Sequence, residues 1–193
     1  MSNPANSPLI TPAGPEDIPG IRELMMQAIN QLQAGFLTDE QVAASHAVMG
    51  LDTQLIADRT YVIARLDGRM AGCGGWSYRA TLYGGDHSAD QRDARQLVPG
   101  QDPARIRAMY THPDFVRRGI GRLILKTCET AAAKAGFDRA ELMATLSGEP
   151  LYVAAGYLPI ETVGDQVNGV TVPLIRMGKR IGDGLSVPNP GST

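Results

Sequence analysis

The sequence predicts one mixed α/β domain, a central mixed β-sheet flanked by helices. Three observations carry this. A strand–helix–strand crossover occupies residues 104–146. An Asp67-Gly68 dipeptide separates two strand-like runs. Near the start, apolar residues recur at helical spacing. A crossover of that length joins parallel strands, whereas a tight Asp-Gly turn joins antiparallel ones, so the sheet must contain both pairings.

The elements follow in order. "PLITPAG" reads as a short strand and a loop. Ile18, Ile21, Leu24, Met25, Ala28, Ile29 and Leu32 then fall on one helical face, with Glu16 and Asp17 near its positive N-terminus. Thr38 and Gln41 form the pattern of a capping box, which opens a second helix that Gly50 ends. "TYVIAR" and "MAGCGGWSYRA" flank the Asp-Gly turn as a hairpin. Residues 82–103 are a polar stretch rich in Gly and Asp, and a loop that long within a domain points to function or mobility.

"ARIRAMYTHP" alternates as a strand. Ile106, Ala108 and Tyr110 are expected on one face, and Arg105, Arg107 and Met109 on the other, with Pro113 stopping it. Helical spacing resumes through Ile120, Leu123, Ile124, Thr127, Cys128, Ala131, Ala132 and Ala135, and Gly136 closes the helix. "FDRAELMATL" is a strand and "GEPLYVAAGY" a short helix. "LPIETV" and "VTVPLIRMGKR" form a terminal strand pair. The expected order is β-α-α-β-β-β-α-β-α-β-β over residues 8–182, with polar tails at 1–7 and 183–193.

Composition narrows the function. A net charge of −2 argues against nucleic-acid binding, which leaves a basic footprint across a domain. No apolar run is long enough for a membrane span, and the first residues lack the basic and apolar regions of a signal peptide. The expectation is a cytoplasmic protein without membrane partners. Cys73 and Cys128 lie far apart with no CxxC spacing, so neither a metal site nor a disulfide framework is expected.

Against this near-neutral background, "VRRGIGR" (Val116 to Arg122) is locally cationic. It lies where a strand turns into a helix. Glycine allows close backbone approach, and the first helical amides have no partner within the helix. Those amides and the helix dipole favour phosphate; Arg117, Arg118 and Arg122 add charge, with Lys126 one turn beyond. The alternative is an ordinary turn with solvated arginines.

"IRAMYTHPDFVRRGIGRLILKTCETAAAKAGF" and "GEPLYVAAGY" together resemble the GNAT superfamily of acetyl-CoA-dependent N-acetyltransferases. The resemblance extends more weakly over residues 8–180 and implies the GNAT acyltransferase fold. The family pattern is Gln or Arg, two residues, Gly, any residue, then Gly or Ala. Gly119 and Gly121 match it, while Val116 departs from the first position. The resemblance implies that Met109, Tyr110 and Thr111 line the pantetheine of acetyl-CoA. It also implies that Val116, Arg117, Arg118, Gly119, Ile120, Gly121 and Arg122 hold the pyrophosphate, in a cleft where the central parallel strands splay. Tyr152 takes the place of the family's acid, protonating the leaving thiolate, and Tyr157 is expected in the core.

The base is not legible. Where relatives carry a Glu on the central strand, this one has Arg105 and Arg107. An Asp or Glu elsewhere, His112, His87 or a water chain could serve. Cys73, a lone thiol on a strand, is expected to be inert. For the acceptor, Trp76, Tyr78 and Arg79, with Asp86 and His87, suggest a polar small molecule, a zwitterion among the candidates, to which Arg107 adds an anion contact. The glycines at 72, 74 and 75 would let another group approach. The reading is therefore acetyl transfer to a primary amine of a small molecule by direct attack in a ternary complex, with no metal. Acylation of a protein N-terminus or lysine, or a CoA-binding sensor without turnover, stay open. A homodimer is compatible with family habit.

Overall fold

A computed structural model describes residues 7–88 and 93–182. Strands β1 (Leu9–Pro12), β2 (Tyr61–Leu66), β3 (Arg69–Ser77), β4 (Ala104–Thr111), β5 (Arg139–Thr145), β6 (Leu158–Val167) and β7 (Val170–Arg180) form one sheet in the order β1-β2-β3-β4-β5-β7-β6. Only β4 and β5 pair in parallel. The helix between them, α4 (Ile120–Lys134), covers one face. Helices α1 (Ile18–Leu32), α2 (Asp39–Val48) and α3 (Gln54–Ala57) lie on the other, and α5 (Glu149–Ala154) follows β5. The expected order holds, with α3 added. The tail expected at 183–193, all but Ser7 of that at 1–7, and residues 89–92 of the long loop lie outside the described residues.

Local chemistry explains the frame. Asp67 and Gly68 both have positive φ, 52° and 75°, the geometry of a type I′ turn, which twists as the flanking strands do. Asn168 and Gly169 repeat the device between β6 and β7, with φ of 49° and 84°. Thr38 Oγ1 accepts the Gln41 amide at 3.2 Å and Gln41 Oε1 accepts the Thr38 amide at 3.1 Å, so the capping box is complete. The helix it opens ends at Val48, two residues before Gly50.

Two cores follow from the two faces. Ile120, Ile124, Leu125 and Cys128 of α4 pack with Ala64, Ile106 and Leu142; Ile21, Leu24 and Met25 of α1 pack with Tyr61, Ile63 and Cys73. Burying one such Ile or Leu side chain is worth about 1.5–3 kcal/mol. The glycines of β3 serve this packing. A Cβ at Gly72 would lie 2.7 Å from Ile120 Cγ2, and one at Gly75 would lie 2.7 Å from the Thr60 carbonyl. The groups that approach them are α4 and β2.

One departure positions everything else. Arg107 pairs with Gly75 and Tyr110 with Cys73, so Ala108 and Met109 together oppose Gly74. This is a β-bulge, with Ala108 in the left-handed region at φ 48°. The extra residue reverses the alternation beyond it. Met109 joins Ile106 on the α4 face, and Tyr110 joins the α1 face with Ala108. The expected grouping of Ile106 with Tyr110, and of Arg107 with Met109, is therefore corrected. The Tyr61 hydroxyl donates to the Ala108 carbonyl at 2.6 Å and holds the bulge. Strand β4 pairs with β5 only at Ala104–Ala140 and Arg105–Glu141, and then diverges.

Candidate active site

The divergence of β4 from β5 opens a cavity of about 790 Å³ that runs through the sheet. Its lining joins the N-terminus of α4 on one face to α1 and α2 on the other.

At the α4 end, Arg117 has φ 62° and Gly119 φ 80° with ψ 1°. A left-handed arginine costs about 1–2 kcal/mol; here it turns the chain from the short 3-10 turn Pro113–Phe115 into α4. The first bond of α4 from this bend is donated by the Leu123 amide to the Gly119 carbonyl at 3.0 Å. The amides of Ile120, Gly121 and Arg122 precede it and have no carbonyl one turn back in the helix. A Cβ on Gly119 would meet nothing within 4 Å, so the bend is open to a ligand. A Cβ on Gly121 would lie 2.9 Å from Leu151 Cδ2, which explains glycine there by the approach of α5.

Val116, Arg117, Gly119, Ile120, Gly121 and Arg122 line this end, and Met109, Tyr110 and Thr111 continue the lining along β4. Arg118 does not. Its guanidinium carbon lies 5.4 Å from the centre of the Phe115 ring, a cation–π contact with a residue that does line the cavity. The side chain of Ile120 is buried in the core, so only its backbone can serve a ligand.

Tyr152 lines the middle of the cavity from α5, edge-on to Tyr157 with centroids 5.9 Å apart. Burial, and then the nearby Cys128 thiol, push its phenol well above the ordinary tyrosine range. Burial and then Cys73 do the same to Tyr110. Both phenols are therefore held protonated at neutral pH.

Beyond Tyr152 the lining comes from α1, the end of α2, the α1–α2, α2–α3 and β3–β4 connections, β5 and β7. It includes Leu32, Phe36, Met49, Leu82 and Met143. Arg107 also lines this end. It is 3% exposed and donates to the Thr81 carbonyl at 3.1 Å, the Gly84 carbonyl at 2.8 Å and Asp52 Oδ2 at 3.1 Å. It pins the β3–β4 loop to the strand. Tyr83 stands on the same loop, its phenol raised by burial and then by Asp165.

Trp76, Tyr78 and Arg79 do not reach this cavity, which corrects the acceptor set expected from the sequence. Trp76 packs edge-on against Phe137 at 6.0 Å and Tyr78 at 6.1 Å, in a cluster that includes Ala132. Ala132 stands 12 residues along α4 from Ile120, roughly 18 Å away at the helical rise. Arg79 forks onto Asp58 at 2.7 and 2.8 Å, a bond that depresses the Asp58 carboxyl. Asp86 accepts from the Thr53 amide and hydroxyl, each at 2.9 Å, and His87 Nε2 meets the Ala47 carbonyl at 2.7 Å, so both anchor the loop. His112 caps the Pro113–Phe115 turn by accepting the Asp114 amide at 3.1 Å. Cys73 and Cys128 are buried, their thiols pushed up to about 12 by that burial.

Comparison with known proteins follows the same outline. Residues 26–157 match the sequence profile of the acetyltransferase (GNAT) family. The chain belongs to the GNAT acetyltransferase family. Solved GNAT structures share its fold. A GCN5-related N-acetyltransferase from Rhodopseudomonas palustris superposes with a TM-score of 0.67 at 21% identity, over 93% of this chain and 99% of that one. The acetyltransferase yncA of Salmonella typhimurium, determined with its cofactor acetyl-CoA, gives 0.60 at 17% identity, over 96% and 100%. The ribosomal-protein-S18-alanine N-acetyltransferase of Escherichia coli gives 0.56 at 17% identity, over 91% and 95%. No significant match is found among curated protein sequences. Among the described residues of this GNAT protein, no group of His, Cys, Asp and Glu is arranged to hold a metal ion, and no helix is long and apolar enough to cross a membrane.

Proposed function

We propose that this GNAT protein transfers the acetyl group of acetyl-CoA to a primary amine by direct attack within a ternary complex. The observation that carries the reading is the open α4 bend at one mouth of a cavity that passes between splayed parallel strands. The amides of Ile120, Gly121 and Arg122 would hold the pyrophosphate, supported by Arg117 and Arg122. The main chain of Met109, Tyr110 and Thr111 would run beside the pantetheine, left available by the parting of β5. Acetyl-CoA supplies an acetyl group on a thioester. The amine must arrive neutral to attack its carbonyl, and the departing sulfur must gain a proton. Tyr152 is the proposed donor, supported by a buried, protonated phenol in the middle of the cavity. Val116 in place of Gln or Arg leaves this binding intact, because the bend acts through backbone groups.

Calorimetry tests the bend. The double variant Arg117→Glu, Arg122→Glu should weaken acetyl-CoA binding about a hundredfold, from two charge reversals worth about 1.4 kcal/mol each. Unchanged affinity would reject the assignment. Thiol release over a panel of amines tests turnover, and the proposed acceptor is a small molecule of the class inferred next.

A further inference from the structure

The acceptor end of the cavity has a chemistry of its own. Leu32, Phe36, Met49, Leu82 and Met143 present apolar surface, contributed by α1, three connections and β5. The charged side chain on this wall is Arg107, whose guanidinium is engaged by Asp52 and two carbonyls. A positive group repels a second ammonium. Gln33, another lining residue, is 4% exposed, and its amide nitrogen donates to Met49 Sδ at 3.2 Å, so this polar side chain is neutral and already engaged. Among the described lining residues no Asp, Glu or His appears.

From these facts we infer that the acceptor is an amine carrying a single positive charge on an apolar body, and not a polyamine, an aminoglycoside or a zwitterionic amino acid. The inference rests on the acetyl-transfer reading above. Two physical effects support it. Apolar surface removed from water stabilises in proportion to its area. An ammonium drawn into apolar surroundings also loses its proton more readily, which prepares the neutral nucleophile without a dedicated carboxylate. A polycation would have to shed the hydration of several charges against a wall whose described lining carries no carboxylate. A free alkylamine or arylalkylamine and the N-terminal amine of an apolar residue share the required chemistry.

A homologous series tests it. For propylamine through hexylamine at fixed acetyl-CoA, kcat/KM should rise about fourfold per methylene. Hexylamine should exceed spermidine by at least about tenfold. A flat or falling series, or spermidine ahead of hexylamine, would overturn the inference. Peptides beginning with Leu and with Asp separate the sources. A Leu peptide ahead of hexylamine assigns the amine to a protein N-terminus, and a free amine ahead assigns it to a small molecule. Phe36 stands at the rim, 53% exposed, so Phe36→Asp should fold normally. It should flatten the series and raise spermidine use. An unchanged series in this variant would count against the inference. Should no amine be acetylated although acetyl-CoA binds, the transfer reading fails on its own. Calorimetric titration of the same alkylamines into CoA-saturated protein then decides the cavity's preference, with affinity climbing along the series if the inference holds and staying level if it does not.

Discussion

The two ends of the cavity are built by opposite means. At the α4 end a few consecutive residues do the work, through backbone amides and adjacent arginines. At the acceptor end, single side chains from α1, loops and β5 meet only after folding. On the proposed reading the first end would hold a common, highly charged ligand through groups every residue possesses, so local spacing can encode it. The second reads an apolar shape through scattered side chains, and no short motif can encode it. The contrast teaches where each kind of specificity resides.

The comparison can be sharpened from its midpoint outward. Tyr152→Phe should lower kcat about a hundredfold or more, the usual worth of a positioned acid, while acetyl-CoA affinity in calorimetry stays put. A loss of affinity without loss of kcat would remove the phenol from the chemistry. Arg107→Met should come next. It takes the guanidinium away from buried Asp52 and from the Thr81 and Gly84 carbonyls, a class of change that costs about 3–5 kcal/mol of stability. Partial unfolding curves should register that cost. If the two ends are separately built, the folded fraction should bind acetyl-CoA normally and show a raised KM for the amine.

A gentler effect follows from the two thiols. Their folded values of about 12 lie above the roughly 8.5 of an unfolded chain. Below pH 8.5 neither state ionises them and stability is complete. Between about 8.5 and 12 the unfolded chain alone releases these protons, so stability falls as pH rises. The urea midpoint should decline across that range, and thiol reagents should find both cysteines unreactive in the native protein at pH 8. The smallest effect is expected from Trp76→Phe, which should leave KM for the amine within about twofold. A large rise would return Trp76 to the acceptor site.

Much of the frame was legible because it depends on local rules: the Asp-Gly turn, the Thr38–Gln41 cap, the α4 stripe and the crossover. The missed parts were not local. Strand β7 lies between β5 and β6, an arrangement no periodicity reports. The Asn168-Gly169 turn carried a readable sign that extends β6 to Val167. Glu129 sits buried within the α4 stripe because Lys179 of β7 reaches it at 2.8 Å, a partner 50 residues away. Trp76, Tyr78 and Arg79 looked like a binding set because they are rich in chemistry. Their partners, Phe137 and Asp58, were invisible from the stretch itself. Phe36 and Met49 carried no sign of a site at all.

The supernumerary residue in β4 also governs how this chain can be compared with others. Straightening the strand without losing a residue would exchange the sides on which Met109 and Tyr110 emerge, whereas deleting Ala108 would restore strict alternation and leave both side chains on their present faces. An aligned homologue with a one-residue gap there can therefore line its cavity with the same faces, while one of equal length without the kink would line it with the opposite ones, however similar its letters. Transplanting acceptor preference between such proteins should therefore begin with the Tyr61 hydroxyl that pins the kink, two strands away from the residues a designer would first think to change.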